Sequence, residues 1–315
     1  MCTGIFLKTK DGGYVFGRTL EFNMYFIWQQ ICSSNLIATV GRLPNRKKEY
    51  MTDGLNKHGL LVGTFFFPHQ DKQYANVERK GFTNLHSGEV TEYLLKNYKS
   101  VDSIKAKVKT LNIIETKIDN IPFSMHWIVC DKKGNCGVIE VKNKEIVFYD
   151  NPYNVITNSP EFPQHVKNLE QFRFLSPYNK PNSISEGTGA LGLPGDNTSQ
   201  SRFIRAHFYR ENMPPPSNGM EAVLRVLHNF DIPLGSVVDK KTCNKEVTEY
   251  TVCYNLNNFT MAYAPYGYIR GEEGIWVSTS SPVNECENTI SKDLIIIAFL
   301  LISFWLSKKY NVIVL

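Results

Sequence analysis

The sequence predicts an α+β fold in which antiparallel sheets carry helical layers on their outer faces. Three observations point there. Extended segments come in pairs and triplets, helical patterns come in pairs between them, and βαβ alternation is missing. With 315 residues, 42% of them hydrophobic, the chain can bury one large core or two small ones.

Thr3 to Lys8 reads as a short apolar strand. Lys10-Asp11-Gly12-Gly13 is a turn, since both glycines tolerate positive φ. Tyr14 to Phe22 resumes extended and alternating, and this hairpin returns Arg18 and Glu21 toward Cys2. Ser33 to Val40 and Gly59 to Phe67 read as strands, with Asp53 to Gly59 a turn by composition. Glu89 to Tyr98 is a helix pattern with Val90, Tyr93, Leu94 and Leu95 on one side. A second helix is expected over Val101 to Leu111, led by Ser100 as its cap. Phe123 to Cys130 and Asn135 to Tyr149 supply at least three strands, and Cys130 and Cys136 can face each other across a hairpin.

Phe162 to Phe172 looks helical, with Pro163 at its start. Gln200 to Tyr209 and Asn218 to Phe230 are two more helices, and Tyr250 to Tyr263 holds two strands joined at Asn255 to Asn258. The Gly-, Ser- and Pro-rich stretch from Pro177 to Pro194 is too short for a linker and reads as an excursion leading into a site. No internal repeat is visible. One domain over 2–285 is expected, followed by a tail over 286–315 with an apolar segment at 294–306.

Composition removes several function classes. The 35 basic and 30 acidic residues leave a net charge of +5 with no dense basic run, which argues against a nucleic-acid surface. Seven cysteines are too sparse for a disulfide scaffold. The scattered histidines form no HExxH motif, and no Cys/His spacing reads as zinc, so no metal is expected. Gly12-Gly13 and Gly192 to Gly195 match neither a P-loop nor a dinucleotide fingerprint, so no nucleotide cofactor is expected. The N-terminus has no basic region followed by an apolar run, so a signal peptide is not expected and a cytoplasmic location is.

The residue with the most chemistry is Cys2. If Met1 is removed, a thiol and a free α-amine share one carbon. Such an amine titrates near ~7.7–8.0 and a free thiol near ~8.5, so nucleophile and candidate base sit on one residue. The bland account is that cysteine stands second by chance. Arg18 and Glu21 likewise fit a surface ion pair. A catalytic account needs an arginine near the thiol and an acid near the amine.

Ordered segments decide between these accounts: Met1-Cys2-Thr3 with Gly17-Arg18-Thr19, Asp53-Gly54-Leu55-Asn56 with Gly59-Leu60, Met125-His126-Trp127-Ile128, and Tyr149-Asp150-Asn151-Pro152. Thr157-Asn158-Ser159-Pro160, Gly192 to Asp196 running into Ser201-Arg202-Phe203-Ile204-Arg205, and Glu249-Tyr250-Thr251 follow. Together, from Cys2 to about Pro265, the chain resembles the choloylglycine hydrolase family, which holds bile salt hydrolases and penicillin V acylases. The resemblance implies a four-layer αββα N-terminal-nucleophile hydrolase sandwich, with two antiparallel sheets flanked by helices. It implies an amidase in which Cys2 attacks the amide carbonyl and its own α-amine relays the proton. It places Arg18 near the nucleophile, Asn158 in the oxyanion hole and Arg202 beside them. Arg205 fits the outer face of its helix equally well. Asn84 matches the second oxyanion contributor, through its backbone N–H above all, and as asparagine leans toward the bile salt side. By itself Asn84 is also a reasonable helix-start residue.

One departure stands out. Where the family has an aspartate beside the nucleophile's amine, this chain has Glu21, one methylene longer. A misplacement of about 1 Å costs ~100-fold, so slower turnover or a shifted substrate choice is expected. Two aromatic regions suit a pocket wall, Phe22 to Trp28 and Gly63 to Pro68, although core packing explains many of the same residues. The implied substrate joins an apolar acyl group to a small polar amine. Conjugated bile salts come first, with penicillin V and N-acyl homoserine lactones as alternatives and a non-catalytic binding protein as a further one. No cofactor is implied, and family members assemble as dimers or tetramers. The 294–306 run is 13 residues, short of the ~20 that span a bilayer. An anchor or interfacial segment, a buried terminal element, and a divergent end replacing the family's last strand all remain open.

Overall fold

The computed structural model describes residues 1–22, 26–67, 74–118, 121–181, 184–240 and 243–265, together with the backbone of 268–270, 276–278 and 284–286. Strands β1 (Cys2–Lys8) and β2 (Tyr14–Glu21) form the expected hairpin, with Cys2 opposite Leu20 and Gly4 opposite Arg18. Gly12 adopts φ +86°, the left-handed conformation its turn requires. Both strands are buried almost throughout, so the hairpin is covered on both faces.

Strands β3 (Ile27–Cys32), β4 (Leu36–Arg42), β5 (Glu49–Asn56) and β6 (Leu60–Phe66) follow as an antiparallel meander. Then β7 (Thr83–His86) runs parallel to β8 (Leu111–Ile114), with α1 (Val90–Asn97) and α2 (Val101–Lys105) between them. Strand β9 (Thr116–Ile118) pairs with β10 (Ile121–Phe123), and β11 (Met125–Asp131), β12 (Cys136–Lys142) and β13 (Glu145–Asp150) follow. After β14 (Val155–Ile156) come α3 (Phe162–Leu169), α4 (Ser199–Asn212) and α5 (Gly219–Leu227). The chain closes through β15 (Val237–Val238), β16 (Lys245–Glu246), β17 (Thr248–Asn255), β18 (Thr260–Pro265), β19 (Tyr268–Arg270), β20 (Trp276–Ser278) and β21 (Asn284–Cys286).

The strands assemble into a six-stranded sheet, β14-β1-β2-β17-β18-β21, and a seven-stranded sheet, β13-β12-β11-β6-β5-β4-β3. Helices α4 and α5 cover the first, and α1 and α2 cover the second. Side chains of β2 and β17 bond across to β5, so the two sheets face each other. This is the αββα sandwich, and its physical logic is that each sheet buries one face on the other and the opposite face under helices.

Several boundaries differ from expectation. Asp53 to Asn56 belong to β5, and the turn is confined to Lys57–Gly59. Gly54 suggested a turn, but it passes within contact of Ala38 and Leu95, a close approach that only a missing side chain permits. Strand β4 begins at Leu36 because the Ser33 hydroxyl accepts from the Leu36 N–H at 3.1 Å and closes a turn. Ser100 does cap α2, accepting from Ser103 N at 3.3 Å. That helix stops at Lys105, though, because Leu111 to Ile114 pair with β7 instead. Cys130 and Cys136 are paired across their hairpin, with sulfurs 3.3 Å apart. Strand β21 pairs with β18, so the first sheet has a late edge strand near the expected end of the domain. The apolar segment 294–306 lies outside the described residues, and no helix among those described is long and apolar enough to cross a membrane.

Candidate active site

Cys2 opens β1 with its side chain in the core, 2% exposed. Arg18, fully buried on the neighbouring strand, reaches across the sandwich. Its Nη1 donates to Thr64 O at 2.6 Å and lies 3.4 Å from both Thr52 O and Asp53 Oδ2. Its Nη2 points at Cys2 Sγ, 2.9 Å away, and the Phe65 ring lies 4.4 Å from the guanidinium carbon. Burial opposes the charge on Arg18. Its acidic neighbours, Cys2 first, then Tyr250, Asp53 and Glu21, outweigh that and hold its pKa above the ordinary value. A lasting cation beside a sulfur is the setting in which the thiolate is the attacking species.

Asn158 and Arg202 hold the other side of Cys2. The Cys2 backbone nitrogen, which becomes the terminal amine if Met1 leaves, donates to Asn158 Oδ1 at 2.7 Å. Asn158 Nδ2 donates to Phe66 O at 2.6 Å. Arg202, 1% exposed on α4, donates from Nη2 to Asn158 Oδ1 at 2.7 Å and from Nη1 to Thr3 Oγ1 at 2.9 Å and to the Cys2 carbonyl. Thr198 caps α4 by accepting from Ser201 N, which sets the turn carrying Arg202. Arg205 instead binds Pro194 O and Asp196 O and lies over Phe230, so it ties down the preceding loop.

Glu21 is also buried. Thr248 Oγ1 donates to its Oε1 at 2.9 Å. Burial pushes its carboxyl pKa up, against the pull of the terminal ammonium and Arg202. With Met1 in place, the terminal ammonium donates to the Glu21 carbonyl at 2.5 Å and stands 3.9 Å from Glu246 Oε2. Glu246 is thus a carboxylate near the Met1 ammonium, which the sequence did not single out.

Asn84 is not brought to this cluster. Its Oδ1 accepts from Arg79 N at 2.9 Å and Asn112 Nδ2 at 2.7 Å, and its Nδ2 donates to Arg79 O. None of these residues lines the cleft at Cys2. The structure also supplies what sequence reasoning missed. Asp53, placed in a turn on paper, lies in the strand and accepts from Tyr250 and Tyr254. The readable signal was Tyr250 and Tyr254 themselves, four apart on a strand and therefore on one face.

A narrow, partly open cleft lies over Cys2. Its polar lining, Cys2, Arg18, Thr52 and Thr64, is accompanied by Leu20, Phe22, Phe26, Trp28, Tyr50, Phe66, Phe123 and Met125. Phe22 meets Phe26, Phe66 and Phe123 edge-on, which locks the wall. Phe22, Phe26, Trp28, Thr64 and Phe66 come from the two expected wall regions, whereas Phe65 and Phe67 turn to Arg18 and His126. Asn23 to Tyr25 and Pro68 lie outside the described residues. No cluster able to hold a metal occurs among the described residues.

His165 braces Asn158 from behind, with its Nε2 2.8 Å from the Asn158 carbonyl. Burial is the main cause that depresses its pKa from 6.5 to about 4. The folded chain therefore favours neutral His165. That stability is complete above about pH 6.5 and is lost as pH falls toward 4, where the unfolded chain binds the extra proton. Urea unfolding at pH 7 and pH 4.5 should show about 2–3 kcal/mol of acid loss from this group. His165→Gln should lack that part, and an equal acid loss in both proteins would contradict the assignment.

Residues 2–267 match the family model described as linear amide C–N hydrolases, choloylglycine hydrolase family. An uncharacterized protein of Paramecium bursaria Chlorella virus 1 is 38% identical over 84% of this chain and 97% of its own. A bile salt hydrolase/transferase of Clostridium perfringens is 31% identical over 84% of this chain and 89% of its own. The crystal structure of a conjugated bile acid hydrolase variant from Clostridium perfringens superposes with a TM-score of 0.75 at 26% identity, covering 93% of this chain and 100% of that one. A penicillin V acylase from Agrobacterium tumefaciens shares the fold at TM-score 0.63 and 18% identity, over 84% of each chain. The cysteine–arginine pair inside an αββα sandwich and these matches lead to one statement: the chain belongs to the choloylglycine hydrolase family and is a hydrolase of linear amide C–N bonds.

Proposed function

We propose that Cys2, once Met1 is removed, is the nucleophile of an amidase acting on an apolar acyl group joined to a small polar amine. The observation that carries this reading is Arg18 Nη2 2.9 Å from Cys2 Sγ, with Asn158 holding the adjacent backbone nitrogen at 2.7 Å. The α-amine takes the thiol proton, and the sulfur attacks the amide carbonyl. The developing oxyanion draws the Asn158 Nδ2–H away from the Phe66 carbonyl, an interaction worth ~3 kcal/mol in a preorganised site. The C–N bond breaks, and the amine leaves with the relayed proton. Water, activated by the same α-amine, then hydrolyses the thioester. Arg202 keeps Asn158 and the Cys2 carbonyl in register, and Glu21 supplies negative charge near the amine.

Glycine- and taurine-conjugated bile salts are the first substrate choice, supported by the aromatic cleft and by the activity named for the Clostridium perfringens relative. Penicillin V and N-acyl homoserine lactones are second, since an aryl or alkyl acyl group is also apolar and matches the same aromatic walls. Intact mass of the purified protein, followed by incubation with glycocholate, taurocholate and penicillin V, tests the mechanism and both substrate choices. Loss of Met1 with release of glycine or taurine is expected. Release from penicillin V alone would replace the bile salt choice. Retention of Met1 with full activity would sink the mechanism, and no release from any of these amides would reject both substrate choices.

A further inference from the structure

Asp53 is wholly buried on β5, in the sheet opposite Cys2. A carboxylate there is costly unless it is paired and fully hydrogen-bonded. Its closest partners come from β17. The Tyr254 hydroxyl donates to Oδ1 at 2.5 Å and the Tyr250 hydroxyl to Oδ2 at 3.0 Å, while Arg18 Nη1 approaches Oδ2 only to 3.4 Å. Burial pushes both phenol pKa values up, so both remain neutral donors. The phenols therefore hold the carboxylate more closely than the guanidinium does. They disperse its charge and prevent a two-pronged grip that would draw Arg18 off the sulfur.

We propose that Asp53, seated between Tyr250 and Tyr254, is a positioning residue that aims the Arg18 guanidinium at Cys2 Sγ and tempers its charge. The proposal rests on Cys2 being the nucleophile. Among the described residues, the charged groups acting on the sulfur are Arg18 from β2 and Arg202 from α4; Glu21 from β2, Asp53 from β5, Tyr250 from β17, Arg205 from α4 and Glu246 from β16 act in turn on those two guanidiniums. Only the Asp53 group is changed by the test variants in a way that predicts opposite signs.

The experiment follows carbamidomethylation of Cys2 by iodoacetamide in the full chain against pH, read by mass spectrometry of the N-terminal peptide, with kcat and KM measured alongside. Asp53→Asn removes the tempering charge. The midpoint of its alkylation profile should fall by about one pH unit, and kcat should drop by more than ~10-fold with KM within about twofold. Tyr254→Phe leaves Asp53 freer to engage Arg18, and its midpoint should move the other way by about half a unit. A purely structural role for Asp53 leaves both midpoints where they are, which would overturn the proposal. If Asp53→Asn does not fold by circular dichroism, an unmoved Tyr254→Phe midpoint overturns it alone. Wild-type protein that still turns over after Cys2 is alkylated would overturn the nucleophile reading and this inference with it. Turnover blocked by alkylation together with unmoved midpoints would remove only the role of Asp53.

Discussion

Cys2→Ala is expected to lower kcat/KM for amide release by at least ~10⁴-fold while the chain still folds. Among the described residues lining the cleft, Cys2 alone carries a thiol, and the Thr52 and Thr64 hydroxyls are already bonded to neighbours. Removing such a nucleophile eliminates the covalent route rather than slowing it, and what remains comes from binding and the oxyanion donor. The structural cost is small, because one sulfur atom is deleted beside a guanidinium that keeps its bonds to Thr64 and Thr19. Cys2→Ser should also be severely impaired, since a hydroxyl is far harder to ionise than a thiol. Equal release by wild-type and Cys2→Ala protein, measured as free glycine or taurine, would dismiss the proposed chemistry.

Arg18→Leu is expected to cost both stability and rate. The leucine cannot reach the Thr64 and Thr52 carbonyls, and Asp53 loses the guanidinium that faces it in a dry interior. Breaking one side of a buried pair costs about 3–5 kcal/mol, here moderated by the two tyrosine donors. The sulfur loses its nearest cation as well, which should lower kcat by ~10²- to 10³-fold, as for other preorganised electrostatic contacts. Arg18→Lys separates the two effects. It restores a charge but not the planar fork that spans sulfur and carbonyl at once, so stability should recover more than rate. Guanidinium-chloride unfolding and kcat measured on the same preparations give the comparison. Undiminished kcat in a folded Arg18→Leu protein would refute the electrostatic role.

These expectations rest on two kinds of information. The hairpin that carries Cys2 and Arg18 was legible because it is local: a Gly-Gly turn and alternating flanks determine the pairing within about twenty residues. The helices after Ser100, Thr198 and Asn218 were legible for the same reason, since caps and apolar periodicity act over a few residues. The choice of Cys2, Arg18, Asn158 and Arg202 came from their order along the chain, which marks the family without saying how the four meet.

Their meeting depends on contacts that no local pattern encodes. Arg18 and Asp53 lie on different sheets, and Cys2 and Arg202 are 200 residues apart, so only the closed sandwich brings them within bonding distance. Asp53 looked like a turn residue because the rule for Asp-Gly assumes a solvated loop. Inside the sandwich its charge is met by Arg18 and two phenols, and strand geometry prevails. Asn84 shows the reverse: its sequence position suggested the oxyanion hole, but Asn112 and the Arg79 backbone claim its side chain. By itself, then, the sequence determined the α+β class, the family pattern and the four residues at the centre. Tertiary structure decided which charges face the sulfur, because burial makes electrostatic interactions depend on distances across the core rather than on distance along the chain.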